Sequence, residues 1–212
     1  GATMQEPHTP NPIDFLLEST SPTNLFLCGD VLEALGLLPD GVVDCVITSP
    51  PYWGQRKYDA GGIGGEATFE DYLEALLEVS AEVRRVLSPK GSFWLNVGDT
   101  YKNKALLGIP WRLAIAMSDR QGWILRNEVV WHKVKGGLDS SRDRLRTVHE
   151  PFFHFVRRRQ GYFYDVDAIR AKPREAKVVK GAVVSATGVS GVRYRRQIEL
   201  STALDETEKR QA

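Results

Sequence analysis

The stretch VVDCVITSPPYW at residues 42–53 decides the fold. Its apolar, β-branched first part, residues 42–48, predicts a strand that is buried on both faces. The strand must end at Ser49, because two consecutive prolines fix the backbone in an extended path and offer no N–H to a neighbouring strand. We therefore expect a buried strand that leads into a stiff corner, with the rings of Tyr52 and Trp53 directly behind it.

Strands and helices alternate on both sides of this stretch. Further strands are predicted at 25–28, 92–97, 123–132 and 152–157, and helices at 31–38, 72–87 and 109–121. Thr68 and Asp71 form a capping signal before the second helix, and Pro110 stands in the first turn of the third. This alternation predicts an α/β fold with a mainly parallel sheet and helices on both faces.

Three regions differ in composition. Residues 1–23 are rich in Pro, Ser and Thr and predict a flexible lead-in, whereas 24–170 carry the alternating pattern. Residues 171–212 predict a basic linker and then a helix from Glu199 onward, at the start of a target-recognition or further C-terminal region. Within the middle region, residues 133–146 lack apolar periodicity and predict an exposed basic loop.

Composition excludes several classes of protein. The chain has 212 residues, of which 42% are hydrophobic and 26% charged, which is typical of one globular domain or two small ones. No apolar run approaches the roughly 18 residues of a membrane helix, so no membrane association is expected. The chain has 2 cysteines and 4 scattered histidines, too few for a disulfide scaffold or a zinc site. We expect a cytoplasmic protein without a metal.

Charge is distributed unevenly along the chain. Residues 1–125 contain 9 Lys and Arg against 16 Asp and Glu, whereas residues 126–196 contain 17 against 7. A basic half beside an acidic half indicates a face that binds a polyanion. A solvated basic surface without any partner is compatible with the same counts.

The corner at Ser49 carries the strongest chemical signal. The prolines lack N–H groups, and the carbonyls of Ser49 and Pro50 can therefore face a pocket as free acceptors beside the serine hydroxyl. The rings of Tyr52 and Trp53 can stack on something flat. Stiff acceptors next to a stacking ring suit the exocyclic amino group of a nucleobase. The alternative is a rigid turn whose aromatic rings pack in the core.

Ser49-Pro50-Pro51-Tyr52 resembles the catalytic tetrapeptide of the amino-group DNA methyltransferases, and the form TSPPYW at 48–53 is similar to their cytosine-N4 branch. The adenine-N6 branch usually has Asp at the first position. Further matches follow the motif order of the beta class, at 29–30, 61–66, 94–99, 107–112, 131–133, 149–150 and 162–170. The family's FxGxG cofactor loop has no match, so the resemblance predicts the catalytic half of a longer enzyme.

This resemblance implies a Rossmann-like methyltransferase sheet, incomplete at the C-terminus. The implied reaction moves a methyl group from S-adenosylmethionine to N4 of a cytosine flipped out of double-stranded DNA, in a bacterial or archaeal cytoplasm. A cognate restriction endonuclease is an optional partner, and the oligomeric state is left open. Two alternatives stay open: the same reaction on adenine N6, and an inactive module that binds DNA.

The resemblance also assigns residues. It implies Ser49, Pro50, Pro51 and Tyr52 as catalytic residues. Cofactor contacts are implied for Asp30, Ser49, Pro50 and Asp99, although a helix cap is the alternative for Asp30. Beside the base we expect Tyr52, Trp53 and His149, and on DNA phosphates the cations Lys133, Lys135, Arg142, Arg144 and Arg146. A structural pair is the alternative for His149-Glu150, and the glycine loop 61–65 predicts a flap.

Overall fold

The computed structural model describes residues 12–55, 62–134, 141–170, 177–179, 182–184 and 198–211. The chain divides into two units, Gly1–Phe163 and Tyr164–Ala212. The predicted boundary after residue 170 therefore lies inside the second unit. Gly61, Lys135 and most of the predicted basic linker lie outside the described residues.

The described helices include α1 (Pro12–Glu18), α2 (Val31–Gly36), α3 (Phe69–Val86), α4 (Ile109–Gln121) and α5 (Glu206–Gln211), and residues 198–199 are helical as well. The helices predicted at 31–38, 72–87 and 109–121 are confirmed to within a few residues. Thr68 caps α3, because its Oγ1 accepts the N–H of Asp71 at 3.1 Å. Two other predictions need correction. Part of the predicted flexible lead-in forms α1, and the helix predicted from Glu199 onward is interrupted, because residues 198–199 are helical, 200–205 are not, and α5 begins at Glu206.

The described strands are β1 (Val43–Thr48), β2 (Leu87–Asn96), β3 (Tyr101–Lys102), β4 (Ala105–Leu106), β5 (Ile124–His132), β6 (His149–Val156), β7 (Lys177–Val179) and β8 (Ala182–Val184). Four of them form one sheet in the order β1-β2-β6-β5. The pairs β3-β4 and β7-β8 form separate two-stranded sheets. The second pair lies within the predicted linker.

The four-stranded sheet is mixed, and the prediction of a mainly parallel sheet is wrong. β1 and β2 are parallel, but β6 runs antiparallel to both β2 and β5. The helix α3 returns the chain between β1 and β2, which allows a parallel pair. No helical pattern separates β5 from β6, and β6 therefore returns in the opposite direction and inserts beside β2.

The core lies on one face of this sheet. Phe93 and Leu95 of β2 and Phe153 and Phe155 of β6 pack there against buried side chains of α3 and α4. On β2 and β6, Trp94 instead stacks on His154, with ring centroids 4.2 Å apart. The two long described helices thus contribute to a single core cluster.

The strand at 42–48 is confirmed, but it is not buried on both faces. Ile47 is 69% exposed, and Asp44 and Cys45 are exposed as well. β1 lies at one end of the strand order, so only one neighbouring strand shields it in the described part of the chain.

The strand predicted at 25–28 is absent. These residues lie in an irregular segment, with Phe26 93% exposed. An apolar run becomes a strand only beside a partner that completes its ladder. Among the described residues, no strand pairs with this segment.

The described residues form neither a membrane-spanning helix nor a metal-binding cluster. None of the helices there has the length and apolar character needed to cross a bilayer. No group of three or more His, Cys, Asp or Glu side chains in that part is arranged to hold a metal ion. Cys28 and Cys45 are both free thiols.

Candidate active site

Three strands bring polar side chains to the same end of the sheet. Ser49 directly follows β1, Asn96 ends the parallel strand β2, and Glu150 stands near the start of the antiparallel strand β6. The carboxyl ends of parallel strands are where ligands bind in α/β sheets. Ser49 and Asn96, 47 residues apart in sequence, are therefore within hydrogen-bond distance.

A hydrogen-bond network connects these groups through Tyr52. The Tyr52 hydroxyl lies 2.9 Å from Oδ1 of Asn96, 3.0 Å from Oε2 of Glu150 and 3.2 Å from Oγ of Ser49. Ser49 Oγ is also 3.3 Å from Asn96 Oδ1. The Asn96 amide donates through Nδ2 to the Pro151 carbonyl at 2.9 Å, and its oxygen is therefore oriented to accept.

The protons in this network fix the direction of its bonds. Tyr52 has one hydroxyl proton, and the Glu150 carboxylate is its strongest acceptor because the bond is charge-assisted. Ser49 then donates to Asn96 Oδ1. A serine hydroxyl that donates to Asn96 keeps lone pairs for a donor arriving in the cavity.

The diproline corner is held from behind by a buried tyrosine. The Tyr72 hydroxyl donates to the Pro51 carbonyl at 2.8 Å. Burial, with smaller effects from Glu66 and Tyr52, raises the pKa of Tyr72, so the phenol stays a neutral donor. Gly64 packs on the same corner, because a Cβ there would lie 3.1 Å from Pro51 Cβ. The Pro51 side of the corner is thus fixed.

A cavity of about 420 Å³ opens in front of the corner. It is lined by Ser49, Pro50, Pro51, Tyr52, Gln55, Lys133 and Glu150. No described residue donates a hydrogen bond to the Pro50 carbonyl, so that oxygen is available as an acceptor. Lys133 Nζ forms an ion pair with Glu150 Oε1.

Tyr52 is positioned by the backbone beside it. A Cβ on Gly98 would lie 2.4 Å from the ring atom Cε2 of Tyr52, so only glycine leaves room for the ring. Burial is the main cause that raises the pKa of Tyr52; Glu150 adds to the rise and the Ser49 hydrogen bond opposes it. The Tyr52 phenol is therefore neutral near neutral pH.

A second cavity, of about 480 Å³, shares Lys133 and Glu150 with the first. His149, Trp111 and Arg144 line it. The Arg144 guanidinium lies over the Tyr101 ring, 4.1 Å from its centroid. The two cavities form adjoining spaces at one end of the sheet, separated by the Lys133–Glu150 pair.

The two predicted cofactor carboxylates have structural partners. Asp30 caps α2, since its Oδ1 accepts the N–H groups of Leu32 and Glu33 at 2.8 and 3.3 Å. Asp99 uses both oxygens at the start of α4, where it accepts from Gly108 and Ile109 at 3.0 and 3.1 Å. Cofactor contacts by these residues stay predictions.

Some predicted substrate residues do not line the first cavity. Trp53 donates to the Glu66 carbonyl at 3.0 Å and packs edge-on against Phe69, as the core alternative expects. His149 lines only the second cavity. Arg142 and Arg146 are exposed, and neither lines the described cavities. Roles for these cations stay predictions, and Lys135 lies outside the described residues.

Four residues of the site were not among the predicted site residues: Gln55, Tyr72, Asn96 and Glu150. Asn96 lies within the matched motif at 94–99, and Glu150 follows the predicted His149. The sequence motifs therefore contained both residues. Tyr72 lies in none of them, because it belongs to the apolar stripe of α3. The described part of the predicted flap contains a local hydrogen bond, in which the Gly64 N–H donates to Glu66 Oε2 at 2.9 Å.

Comparison with known sequences identifies relatives. A family model described as DNA methylase, for N6 and N4 methyltransferases, matches residues 43–192. The chain is similar to the type II methyltransferase M.SmaI of Serratia marcescens, with 35% identity over 194 residues, covering 77% of this chain and 66% of that protein. It is 41% identical over 172 residues to M.XycI of Xanthomonas campestris pv. cyanopsidis, covering 67% of this chain and 57% of that protein.

Solved structures share the fold. The cytosine-N4-specific PvuII DNA methyltransferase gives a TM-score of 0.58 at 24% identity, covering 68% of this chain and 52% of that one. A putative DNA modification methylase from Thermus thermophilus, complexed with S-adenosyl-L-methionine, gives 0.50 at 26% identity, covering 66% and 57%. The predicted α/β methyltransferase fold is therefore confirmed.

The chain spans between 52 and 66% of the lengths of these proteins. The matched region nevertheless takes in the diproline corner, Asn96 and Glu150. It also covers more than half of the 212 residues. The convergence of these groups at one end of the sheet is therefore that of a family member, and the chain belongs to the N6/N4 DNA methylase family.

Proposed function

We propose that this chain carries the reaction site of an S-adenosylmethionine-dependent DNA methyltransferase that methylates N4 of a cytosine flipped out of double-stranded DNA. One observation carries the proposal. Ser49 Oγ, oriented by Asn96, and the Pro50 carbonyl both border an open cavity beside the Tyr52 ring. Family membership supports methylation of an amino group on DNA, without distinguishing cytosine N4 from adenine N6.

The two acceptors match the chemistry of an amino group. The lone pair of a cytosine amino nitrogen is delocalised into the ring, so the nitrogen is a poor nucleophile. Hydrogen bonds from its two N–H groups to Ser49 Oγ and the Pro50 carbonyl favour a pyramidal nitrogen with an available lone pair. Positioning and preorganised acceptors then supply most of the acceleration. A covalent enzyme adduct is not needed.

The released proton needs an acceptor. Methylation leaves the amino nitrogen with one proton too many, and serine is a weak base. Glu150 is the one carboxylate among the residues lining the first cavity. Its Oε2 accepts from Tyr52, so the proton can reach it directly or through that hydroxyl. We assign proton acceptance to Glu150.

The corner also borders a place for the cofactor. When bound, S-adenosylmethionine supplies a methyl group carried on a positively charged sulfur. Pro50 lines both the first cavity and an apolar cavity of about 140 Å³, which Val31 and Thr48 also line. Asp30 stands next to Val31, and no described residue donates to its Oδ2, which leaves an acceptor for hydroxyl groups.

Three of the four residues predicted to contact the cofactor therefore remain in the proposal. Asp30, Ser49 and Pro50 fit the predicted contacts, whereas both oxygens of Asp99 already accept backbone N–H groups. We assign Asp99 to positioning of α4. The S-adenosyl-L-methionine complex of the Thermus neighbour supports the choice of cofactor.

DNA contacts complete the proposal. Tyr52 offers its ring to the flipped base, and Lys133 stands at the wall shared by the two cavities. Arg144, which also lines the second cavity, and the exposed Arg142 and Arg146 would contact phosphates. A cognate endonuclease and a cytoplasmic location stay predictions.

The alternatives are separated by identifying the product. The family takes in both N6 and N4 enzymes, so adenine N6 is the second candidate. The protein is incubated with labelled S-adenosylmethionine and mixed-sequence duplex DNA, which is then digested to nucleosides. We expect labelled N4-methylcytosine. N6-methyladenine alone would overturn the cytosine assignment, and no incorporation on any duplex would overturn methyl transfer and favour the inactive DNA-binding module.

A further inference from the structure

A separate cavity, lined by arginine side chains, lies at the opposite end of the sheet from Ser49. Its volume is about 750 Å³, and its lining includes Asp40, Gly41, Arg84, Arg85, Gln121 and Arg157. Gly41 stands just before β1, whereas Ser49 follows it. The strand between them separates the two cavities by about 25 Å. The cavity is therefore distinct from the proposed reaction site.

Arg85 is already neutralised within this cavity. Its guanidinium pairs with Asp40 at 2.7 Å and with Glu82 at 2.9 Å. It also donates to the carbonyls of Leu38 and Leu35, both at 2.9 Å. Asp40, the one carboxylate of the lining, is thus committed to Arg85.

Arg84 and Arg157 lack such a partner. Among the described residues, neither guanidinium forms an ion pair with a carboxylate. Nε of Arg84 is buried and has no acceptor among those residues. Arg157 donates to the Leu87 carbonyl. Arg84 and Arg157 therefore bring two guanidinium charges without a carboxylate partner to the same cavity.

The electrostatics of Arg157 agree with this geometry. Burial is the main cause that lowers its pKa, and the positive charges of Arg84 and Arg158 lower it further, opposed only in part by Asp40. Two guanidinium groups therefore lie close enough to repel each other. An anion placed between them would relieve that repulsion.

We propose that the cavity binds a phosphate group, held by Arg84 and Arg157. A phosphate offers several acceptor oxygens on one centre, and guanidinium groups bind it through paired N–H bonds. It offsets the charges of the two guanidinium groups, which have no carboxylate partner among the described residues. The phosphate comes from a small phosphate compound or from a DNA backbone. The proposal does not depend on the methyl-transfer assignment.

The test is a titration of the ¹⁵N-labelled protein with sodium phosphate, against sodium chloride at equal ionic strength. We expect phosphate alone to shift the Nε–H signals of Arg84 and Arg157, and to raise the melting temperature. Arg84→Gln and Arg157→Gln should each weaken phosphate binding about tenfold or more. Arg159→Gln removes the same charge from an exposed residue two positions away and should leave the affinity unchanged.

A fluorescent duplex identifies the source of the phosphate. If Arg84→Gln weakens both phosphate and duplex binding, the cavity takes a backbone phosphate. If it weakens phosphate binding alone, the ligand is a small phosphate compound. The proposal fails if phosphate gives no more effect than chloride on the wild-type protein. It also fails if Arg159→Gln weakens binding as much as Arg84→Gln does.

Discussion

The hydroxyl of Tyr52 lies 2.9 Å from Oδ1 of Asn96, in a side-chain contact between the corner after β1 and the last residue of β2. Asn96 is only 6% exposed, and its Nδ2 is committed to the Pro151 carbonyl at 2.9 Å. Its oxygen therefore presents a fixed acceptor to Ser49 and lies beside the Tyr52 hydroxyl, which donates to Glu150. Asn96 acts as a positioning residue for the two side chains that face the cavity.

Replacing Asn96 with alanine should disorder both hydroxyls. We expect the methyl-transfer rate constant to fall about tenfold to a hundredfold while DNA affinity changes little, because Asn96 does not line the cavity. Stability should fall by about 1–3 kcal/mol, since the half-buried Pro151 carbonyl loses its donor. Single-turnover rates, duplex binding and urea unfolding measure the three effects. Equal losses in rate constant and DNA affinity would contradict a positioning role.

Ser49→Ala tests the acceptor itself. Removing Oγ takes away one of the two acceptors proposed for the amino group, and we expect the transfer rate to fall about a hundredfold with duplex affinity nearly intact. Ser92→Ala is the matched control, because Ser92 lies on β2 and contacts Cys45 and Trp94 rather than the cavity. A wild-type rate in Ser49→Ala would show that the hydroxyl has no part in activation.

Two substitutions at Tyr52 separate the ring from its hydroxyl. Tyr52→Phe keeps the ring and removes the hydrogen bond to Glu150 and the contact with Asn96, so the rate should fall while affinity for a duplex with an unpaired target base is kept. Tyr52→Ala removes the ring as well and should cost about 1–3 kcal/mol of binding to that duplex. Fluorescence anisotropy gives both affinities. Equal affinities for the two variants would rule out stacking.

The corner at residues 49–52 could be predicted because its information is local. A β-branched run ended by two prolines specifies a strand and its stop without any partner. The cap of α3 at Thr68 and the proline in the first turn of α4 are local signals in the same way. The structure therefore follows the sequence pattern most closely at these elements.

The convergence of Asn96 and Glu150 could not be predicted, because it depends on the place of β6 in the sheet. No local pattern states that β6 inserts antiparallel between β2 and β5, and a parallel arrangement would carry Glu150 to the other end. The prediction of a strand at 25–28 was wrong for a related reason. Its apolar pattern specifies a strand only where a neighbouring strand completes it.

Gly98→Ala tests how tightly the backbone holds Tyr52. The added Cβ would lie 2.4 Å from Cε2 of the ring, so the ring or the strand end must move. We expect a loss of about 1–3 kcal/mol in the free energy of unfolding, together with a lower transfer rate. Gly36→Ala is the control, because a Cβ there meets no atom within 4 Å. If both variants unfold alike, the ring is not confined by Gly98.

Tyr72 makes a contribution to the free energy of unfolding that is lost at alkaline pH. Its pKa is raised above the usual 10.0, chiefly by burial, so the unfolded chain loses the phenol proton first. The contribution of Tyr72 is complete below pH ~10 and is lost as the pH rises toward the folded-state pKa, at about 1.4 kcal/mol per pH unit.

Tyr72→Phe removes this titration together with the hydrogen bond to the Pro51 carbonyl. Urea unfolding at pH 8 should show the variant about 1 kcal/mol less stable than the wild type. Between pH 10 and 11 the gap should narrow, because only the wild type loses the Tyr72 contribution. Tyr101→Phe, which changes a half-buried tyrosine outside the corner, serves as the control. A gap that stays constant across this range would mean that the Tyr72 phenol titrates alike in the folded and unfolded chains.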